Sequence, residues 1–374
     1  MPNGRTYTPR RRSDGEGERS EGARIWGDEV FGGDEAPRRP SAGGWGEDSD
    51  RRPFRSGPPR PRTGGAAPDL GETPQRRWLT SRERREAQPD AKPTWVETLQ
   101  GEALFGVAPV RAALLAKRRG RVYTLFVQDS LEPGKRKDGG AVADCVERAT
   151  AWGATIQQVD KHELNLLTEN RNHQGIVLDA DPLEPEELDV LPPVALPTQR
   201  PVWIALDQVS DPQNLGAILR SALFLGAAGV VVAQRNSAPL SPVVSKASAG
   251  AMEVLPVHAV SGNMPQFLAA CSANGWTVLG ADMGDGAAAA GGAVPCSDVT
   301  VTGPTILVLG SEGEGLRTNV LRACDRLVCV PRGAAPGDAV AAEALAFMDS
   351  LNVSVAAGVV LHSLLLSAQQ GELK

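Results

Sequence analysis

From residue 96 onward the chain carries two kinds of hydrophobic pattern. In the first stretch, RVYTLFVQ at 121–128 is rich in β-branched and aromatic residues and predicts a strand. AVADCVERATAW at 141–152 has helical spacing and ends at Gly153. Short strands are predicted at 155–159 and 175–178, and 97–117, with Val110, Leu114 and Leu115 at helical spacing, predicts a helix or helix pair interrupted at Gly106 and Pro109. From Val202 on, strands are predicted at 202–206, 229–233, 254–257, 276–281, 305–309 and 327–330, with a helix at 214–225 and helical stretches between the others. These apolar runs lack in/out alternation, so both faces are buried, which is the signature of a parallel sheet. The fold class is α/β, with a parallel-sheet domain at 201–374 behind a small α/β domain at 96–180. Ligands of such sheets bind beyond the carboxyl ends of the strands.

Composition changes the picture at two places. Residues 1–95 contain 14 Gly and 12 Pro, few apolar side chains and the pairs Arg38-Arg39, Arg51-Arg52, Arg76-Arg77 and Arg84-Arg85. They can bury too little surface to offset chain entropy, so this segment is expected to be a disordered Arg/Gly/Pro-rich tail. Residues 181–200 are rich in Pro and acids and read as a linker. Charge is divided unevenly. Residues 1–100 hold 19 Lys+Arg against 17 Asp+Glu, leaving 20 against 28 for the remainder of a chain with net charge −6. No apolar run is long enough to predict a membrane span. Five scattered cysteines without a C-x-x-C pair argue against a disulfide framework and structural zinc, and four dispersed histidines leave a metal site unsupported. The chain reads as an intracellular protein of a reduced compartment.

Three polar clusters lie at predicted strand ends. DQVSDPQNLGAILR at 207–220 is a polar loop running into a helix, with Asn214 near its start and Arg220 a little under two turns on. Asn214 could simply cap the helix and Arg220 could be a solvated face residue. LGSEGEGL at 309–316 is a buried strand entering a Gly-rich turn with two carboxylates, matching neither the P-loop nor the dinucleotide fingerprint. DSLNVSVAAG at 349–358 places Ser350 and Asn352 at the mouth of a small-residue helix, where Ser350 as N-cap is the ordinary reading. His362, further along, reads as packed or interfacial. In the small domain the most polar cluster is Asn172-His173-Gln174-Gly175, a turn before a strand.

Taken in order, N-x-G-x-x-x-R, L-G-S-E-G-x-G-L and S-L-N-V-S-V-A resemble the SpoU (TrmH-like) family of RNA 2′-O-ribose methyltransferases. RNSAPLSPVVSKASAGAME at 235–253 looks like the branch of mitochondrial and other organellar large-subunit rRNA methyltransferases. The resemblance covers 202–365 and, more loosely, 99–178. It implies a SPOUT-type trefoil knot behind an RNA-binding domain, and a homodimer with a composite site. The cofactor is then S-adenosyl-L-methionine, lined by Gly310, Val330 and Leu351. It assigns Arg220 the catalytic role, with Asn214 and Glu312 orienting that Arg and the RNA phosphate, and Ser350 and Asn352 holding substrate or loop. RNA contacts are expected from patches such as Arg235 and Lys246 and from the small domain. The implied reaction is methylation of a ribose 2′-hydroxyl, of a guanosine, in organellar rRNA. The alternatives are a tRNA ribose methyltransferase of the same fold and an RNA-binding ribosome-assembly factor without turnover. The home would be mitochondrion or plastid, although Asp14, Glu16, Glu18 and Glu21 make the N-terminus unlike a transit peptide. Two stretches depart from the family pattern, a long one at 332–349 beside the cofactor loops and a low-complexity one at 284–293.

Overall fold

The computed structural model describes residues 99–129, 138–196, 199–282, 292–311, 313, 315–333, 337, 339–346 and 350–370. The expected disordered tail, Glu312 and nearly all of the 284–293 loop lie outside them. The described residues fall in one compact unit that carries two sheets.

The smaller sheet has the order β1-β4-β2-β3, with β1 at Glu102–Phe105, β2 at Val122–Gln128, β3 at Thr155–Val159 and β4 at Ile176–Ala180. β2 and β3 are parallel, and β4 runs antiparallel to β1 and β2. Alternate residues face opposite ways, as the pleat requires. Leu104, Leu125 and Leu178 join the helices Val107–Ala116 and Gly139–Ala151 in one core, while Phe105, Phe126 and Val177 join the helix Lys161–Leu167 in another.

Two expectations for this domain need correction. The segment 97–117 is not a helix pair: Glu102–Phe105 is a strand, Gly106 turns the chain at φ 96°, and the helix begins at Val107. Pro109 falls in the first turn, where a missing N–H breaks no helical bond. The helix Lys161–Leu167 went unpredicted, although its capping box is visible in the sequence: the Asp160 side chain accepts from the Glu163 N–H and the Glu163 side chain from the Asp160 N–H.

The larger sheet has eight strands: β5 (Glu186–Leu188), β6 (Val202–Leu206), β7 (Gly229–Val232), β8 (Val257–Val260), β9 (Thr277–Ala281), β10 (Val294–Pro295), β11 (Thr305–Leu309) and β12 (Arg326–Cys329). Their order is β10-β12-β9-β11-β6-β7-β8-β5, and every pairing is parallel. Ile204, Leu206, Val230, Leu307 and Leu309 face the helices Pro212–Leu225 and Val353–Gln370, while Ala205, Val231, Ile306 and Val308 face the helix Met264–Ala273. Burial on both sides is why the strands read as unbroken apolar runs. The strand expected at 254–257 is displaced, because Ala251–Val254 is one helical turn and Pro256 separates it from β8.

Within 181–200 the chain is docked on the sheet. β5 extends its edge beside β8, and Leu183 and Leu191 are buried. Asn274 Nδ2 donates to the Leu191 carbonyl at 3.1 Å and Trp276 Nε1 to the Pro192 carbonyl at 3.0 Å. Among the described residues no helix is long and apolar enough to cross a membrane.

Candidate active site

The helix Pro212–Leu225 starts earlier than its hydrophobic period suggests. Pro212 supplies a preset φ at the first position, and the Asp211 carboxylate accepts from the Gln213 N–H at 3.0 Å. Asp211 is thus the cap, and Asn214 is left with its amide free of that duty. Asn214 Oδ1 accepts a hydrogen bond from Asn352 Nδ2 at 3.0 Å. The same Asn352 side chain starts the last helix: its Oδ1 accepts from the Ser354 N–H at 2.9 Å and the Ser354 hydroxyl at 2.6 Å. Asn352, not Ser350, is therefore the cap of Val353–Gln370. Residues 138 positions apart are joined by one amide pair, so the first and third polar stretches meet. Ser350 and Leu351 are exposed beside them.

The second stretch is tied to the first from the other side. The Asp207 carboxylate, buried directly after β6, accepts from Arg317 Nε at 2.9 Å and Nη2 at 2.5 Å, a two-pronged pair. That pairing holds the Arg317 guanidinium above its ordinary pKa. The Asp207 N–H donates to the Leu309 carbonyl at 2.8 Å. Between these anchors the chain folds back on itself, with Ser311 and Gly315 exchanging backbone bonds at 3.2 and 3.1 Å. A Cβ on Gly310 would lie 2.1 Å from the Gly315 carbonyl oxygen, so only glycine closes this turn. Asp207 and Arg317 went unrecognised as a pair, because nothing in spacing links a strand end to an Arg 110 positions later.

Gly310, Val330 and Leu351 follow or precede elements whose ends lie at the carboxyl edge of the sheet, the position at which ligands of parallel sheets bind. Gly310 is buried and offers bare backbone, Val330 is half-buried against the main core, and Leu351 presents a large apolar side chain to solvent. S-adenosylmethionine needs an apolar surface for adenine and backbone groups for its polar edges. Backbone at 310, 311 and 315 and apolar side chains at 330 and 351 fit that need.

Arg220 is placed elsewhere on its helix. It is exposed and has neither a hydrogen bond nor an ion pair among the described residues. It lines an open groove of about 310 Å³ with Ala112 of the small domain, Leu223, Phe224, Gly250 and Val254. None of the described residues among 310–316, 330 and 350–352 lines that groove. Arg235 is exposed, and Lys246 is half-buried, its Nζ donating to Gln174 Oε1 at 2.7 Å. Burial holds Lys246 below its ordinary pKa. His173 is buried, its Nδ1 accepting from the Gly175 N–H at 3.0 Å, and burial, with the charges of Lys161 and Lys246, lowers its pKa. Among the described residues no cluster of His, Cys, Asp or Glu could hold a metal ion.

Comparison with known proteins identifies the family of both domains. The SpoU rRNA Methylase family matches residues 201–362, and the family described as RNA 2′-O ribose methyltransferase substrate binding matches residues 103–186. The human protein "rRNA methyltransferase 1, mitochondrial" is 36% identical over 277 residues, 72% of this chain and 74% of that protein. A Mycobacterium tuberculosis protein named as a tRNA/rRNA methyltransferase is 39% identical over 261 residues, 70% and 72% of the two chains. Among solved structures, the SpoU methyltransferase AviRb from Streptomyces viridochromogenes, in complex with AdoMet, shares the fold with TM-score 0.54 and 22% identity, over 76% of this chain and 98% of that one. The AdoMet-bound rRNA methyltransferase from Sinorhizobium meliloti has TM-score 0.53 and 23% identity, over 77% and 92%. With both of its domains matched and its three motifs joined in space, this chain belongs to the SpoU family of rRNA methylases and is an S-adenosylmethionine-dependent RNA methyltransferase.

Proposed function

We propose that the protein methylates a ribose 2′-hydroxyl, that of a guanosine, in organellar large-subunit rRNA. The observation that carries the reading is the joining of Asn214 to Asn352 and of Asp207 to Arg317, which ties residues in or next to the three polar stretches to one another. The match of residues 103–186 to a ribose-methyltransferase substrate-binding family supports the ribose as acceptor, and the human mitochondrial relative supports the organelle.

Gly310, Val330 and Leu351 would hold the cofactor, which supplies a methyl group on a sulfonium. The rest of the chemistry belongs to this chain: positioning the 2′-oxygen and meeting the charge it develops. As the 2′-oxygen takes the methyl group from the sulfonium and its proton passes to water, the Arg220 guanidinium stabilises the negative charge that develops on that oxygen. Arg220 is exposed and makes no hydrogen bond or ion pair among the described residues, which leaves its guanidinium available for that role. Asn214 and Asn352 fix the start of the Arg220 helix against the start of the last helix; Glu312 and Ser350 would complete the substrate contacts.

No described residue of the cofactor loops lines the Arg220 groove within one subunit, and a homodimer would bring the two together. The last helix exposes Val355, Val359, His362 and Leu366 on one stripe; Leu351 just before it is also exposed, and Phe224 on the helix packed against it is 88% exposed. An apolar stripe of this kind marks an association surface. Pairing two copies across it would bring Arg220 of one subunit to the cofactor loops of the other.

A second substrate is supported by the mycobacterial relatives, whose names include tRNA. The test is incubation of full-length protein with cofactor bearing an isotopic methyl and transcripts of organellar large-subunit rRNA or tRNA, followed by nucleoside mass spectrometry. The expected product is 2′-O-methylguanosine in the rRNA transcript. Label in the tRNA alone would shift the substrate, label on a base would contradict the ribose, and no label in either RNA would favour the assembly-factor reading.

A further inference from the structure

Arg118 and Arg119 sit in an ordinary basic run, KRRGR at 117–121, yet the Arg119 side chain is 0% exposed. Its Nε and Nη2 donate to the two oxygens of Glu253 in the methyltransferase domain, each at 2.8 Å. Its Nη1 donates to Glu102 Oε1 at 2.6 Å and to the Asp181 carbonyl at 2.8 Å. Glu253, 1% exposed, also accepts from the Ser245 hydroxyl at 2.7 Å. One buried guanidinium therefore joins β1, the chain leaving β4 and the turn Ala251–Val254 that borders the Arg220 groove. Burying such a pair is costly unless its polar atoms find partners, and here each guanidinium nitrogen and both Glu253 oxygens have at least one.

Two further contacts act in the same sense. Arg118 Nη1 donates to the Leu255 carbonyl at 2.6 Å, and Gly250 packs so closely on the helix Val107–Ala116 that a Cβ there would meet the Ala112 Cβ at 2.6 Å. The connecting segment is not a free tether either, because β5 pairs along β8 and Leu191 is buried.

We infer that Arg119 and Glu253 form a latch that fixes the substrate-binding domain as a rigid shoulder of the Arg220 groove, so that RNA meets both domains in one preset register. Arg119 is a positioning residue: it touches no reacting atom and acts through the domain it holds. The inference rests on RNA being the substrate. Two binding surfaces on one rigid body act at high effective concentration, and loosening the joint lowers it.

The test uses full-length Arg119→Met/Glu253→Gln, which removes both buried charges together, and Arg119→Lys, which keeps the charge but loses the fork. A large-subunit rRNA transcript long enough to span both domains is compared with an oligonucleotide of about ten nucleotides; the expected result is that KM for the transcript rises about tenfold or more in the double variant. Arg119→Lys moves it the same way by a smaller factor. Cofactor affinity, kcat on the transcript and KM for the oligonucleotide stay close to wild type. An unchanged KM for the transcript in either folded variant, or an equal loss on both RNAs, overturns the latch. Filter binding of the transcript reads the same effect without turnover. Weaker binding supports the latch and unchanged binding refutes it, while absent methylation by the wild-type protein counts against the proposed reaction alone.

Discussion

Asn352 does two things with one amide: its oxygen starts the last helix and its NH₂ reaches Asn214. A sequence reading sees Ser and Asn at a helix mouth and reads Ser350 as the ordinary cap, but only the placed backbone shows that the helix starts one residue after Asn352. Asp207 and Arg317 pose the same difficulty, since each is a common residue in a polar loop and their meeting depends on how β6 and β11 lie side by side. Their pairing gives a direct prediction. Arg317→Ala leaves a buried carboxylate without its cation, which costs about 1–3 kcal/mol of stability. It also frees the 310–316 turn, so calorimetry should find cofactor binding weaker than wild type. Cofactor affinity unchanged beside a lowered Tm would confine the pair to stability and remove it from the site.

At the scale of elements, strands were the more legible, because burial on both faces writes continuous apolar runs: β3, β6 and β11 coincide with the predicted spans. Edges were not. β5 is EEL in an acidic, Pro-rich segment, with both Glu residues exposed, and an edge strand paired on one side leaves no hydrophobic signature. β1 was absorbed into a predicted helix because four residues carry too short a period to separate the two structures. The turn before β4 carries a pH prediction. His173 accepts from the Gly175 N–H through Nδ1, and its folded pKa is lowered by burial first, then by Lys161 and Lys246. A depressed His pKa means that the unfolded chain takes up the proton first, so this contribution is intact above about pH 6.5 and is lost as pH falls toward the folded value. The Tm should drop between pH 7 and pH 5, and His173→Gln should flatten that slope. An identical slope in the variant would mean that other groups set it.

For the whole molecule, motif order in the sequence was enough to indicate the family, because the three stretches are the parts that must converge. What it could not supply was where the Arg220 side chain lies relative to the strand-end loops. Arg220 lies in a groove beside the small domain, unpaired among the described residues, while Gly310, Val330 and Leu351 lie at the strand ends. The exposed apolar stripe on the last helix offers the surface on which two copies would bring these halves together. The most direct measurement is methyl transfer by mixed dimers of an Arg220→Ala subunit with a Leu351→Asp subunit. Each variant alone should be inactive, with Arg220→Ala still binding cofactor. Random pairing puts one intact composite site in half of the dimers, so mixing should restore about a quarter of the wild-type sites. Turnover by Arg220→Ala alone, or no recovery once native mass spectrometry shows the mixed dimers present, would contradict a guanidinium acting on the ribose oxygen from across the interface.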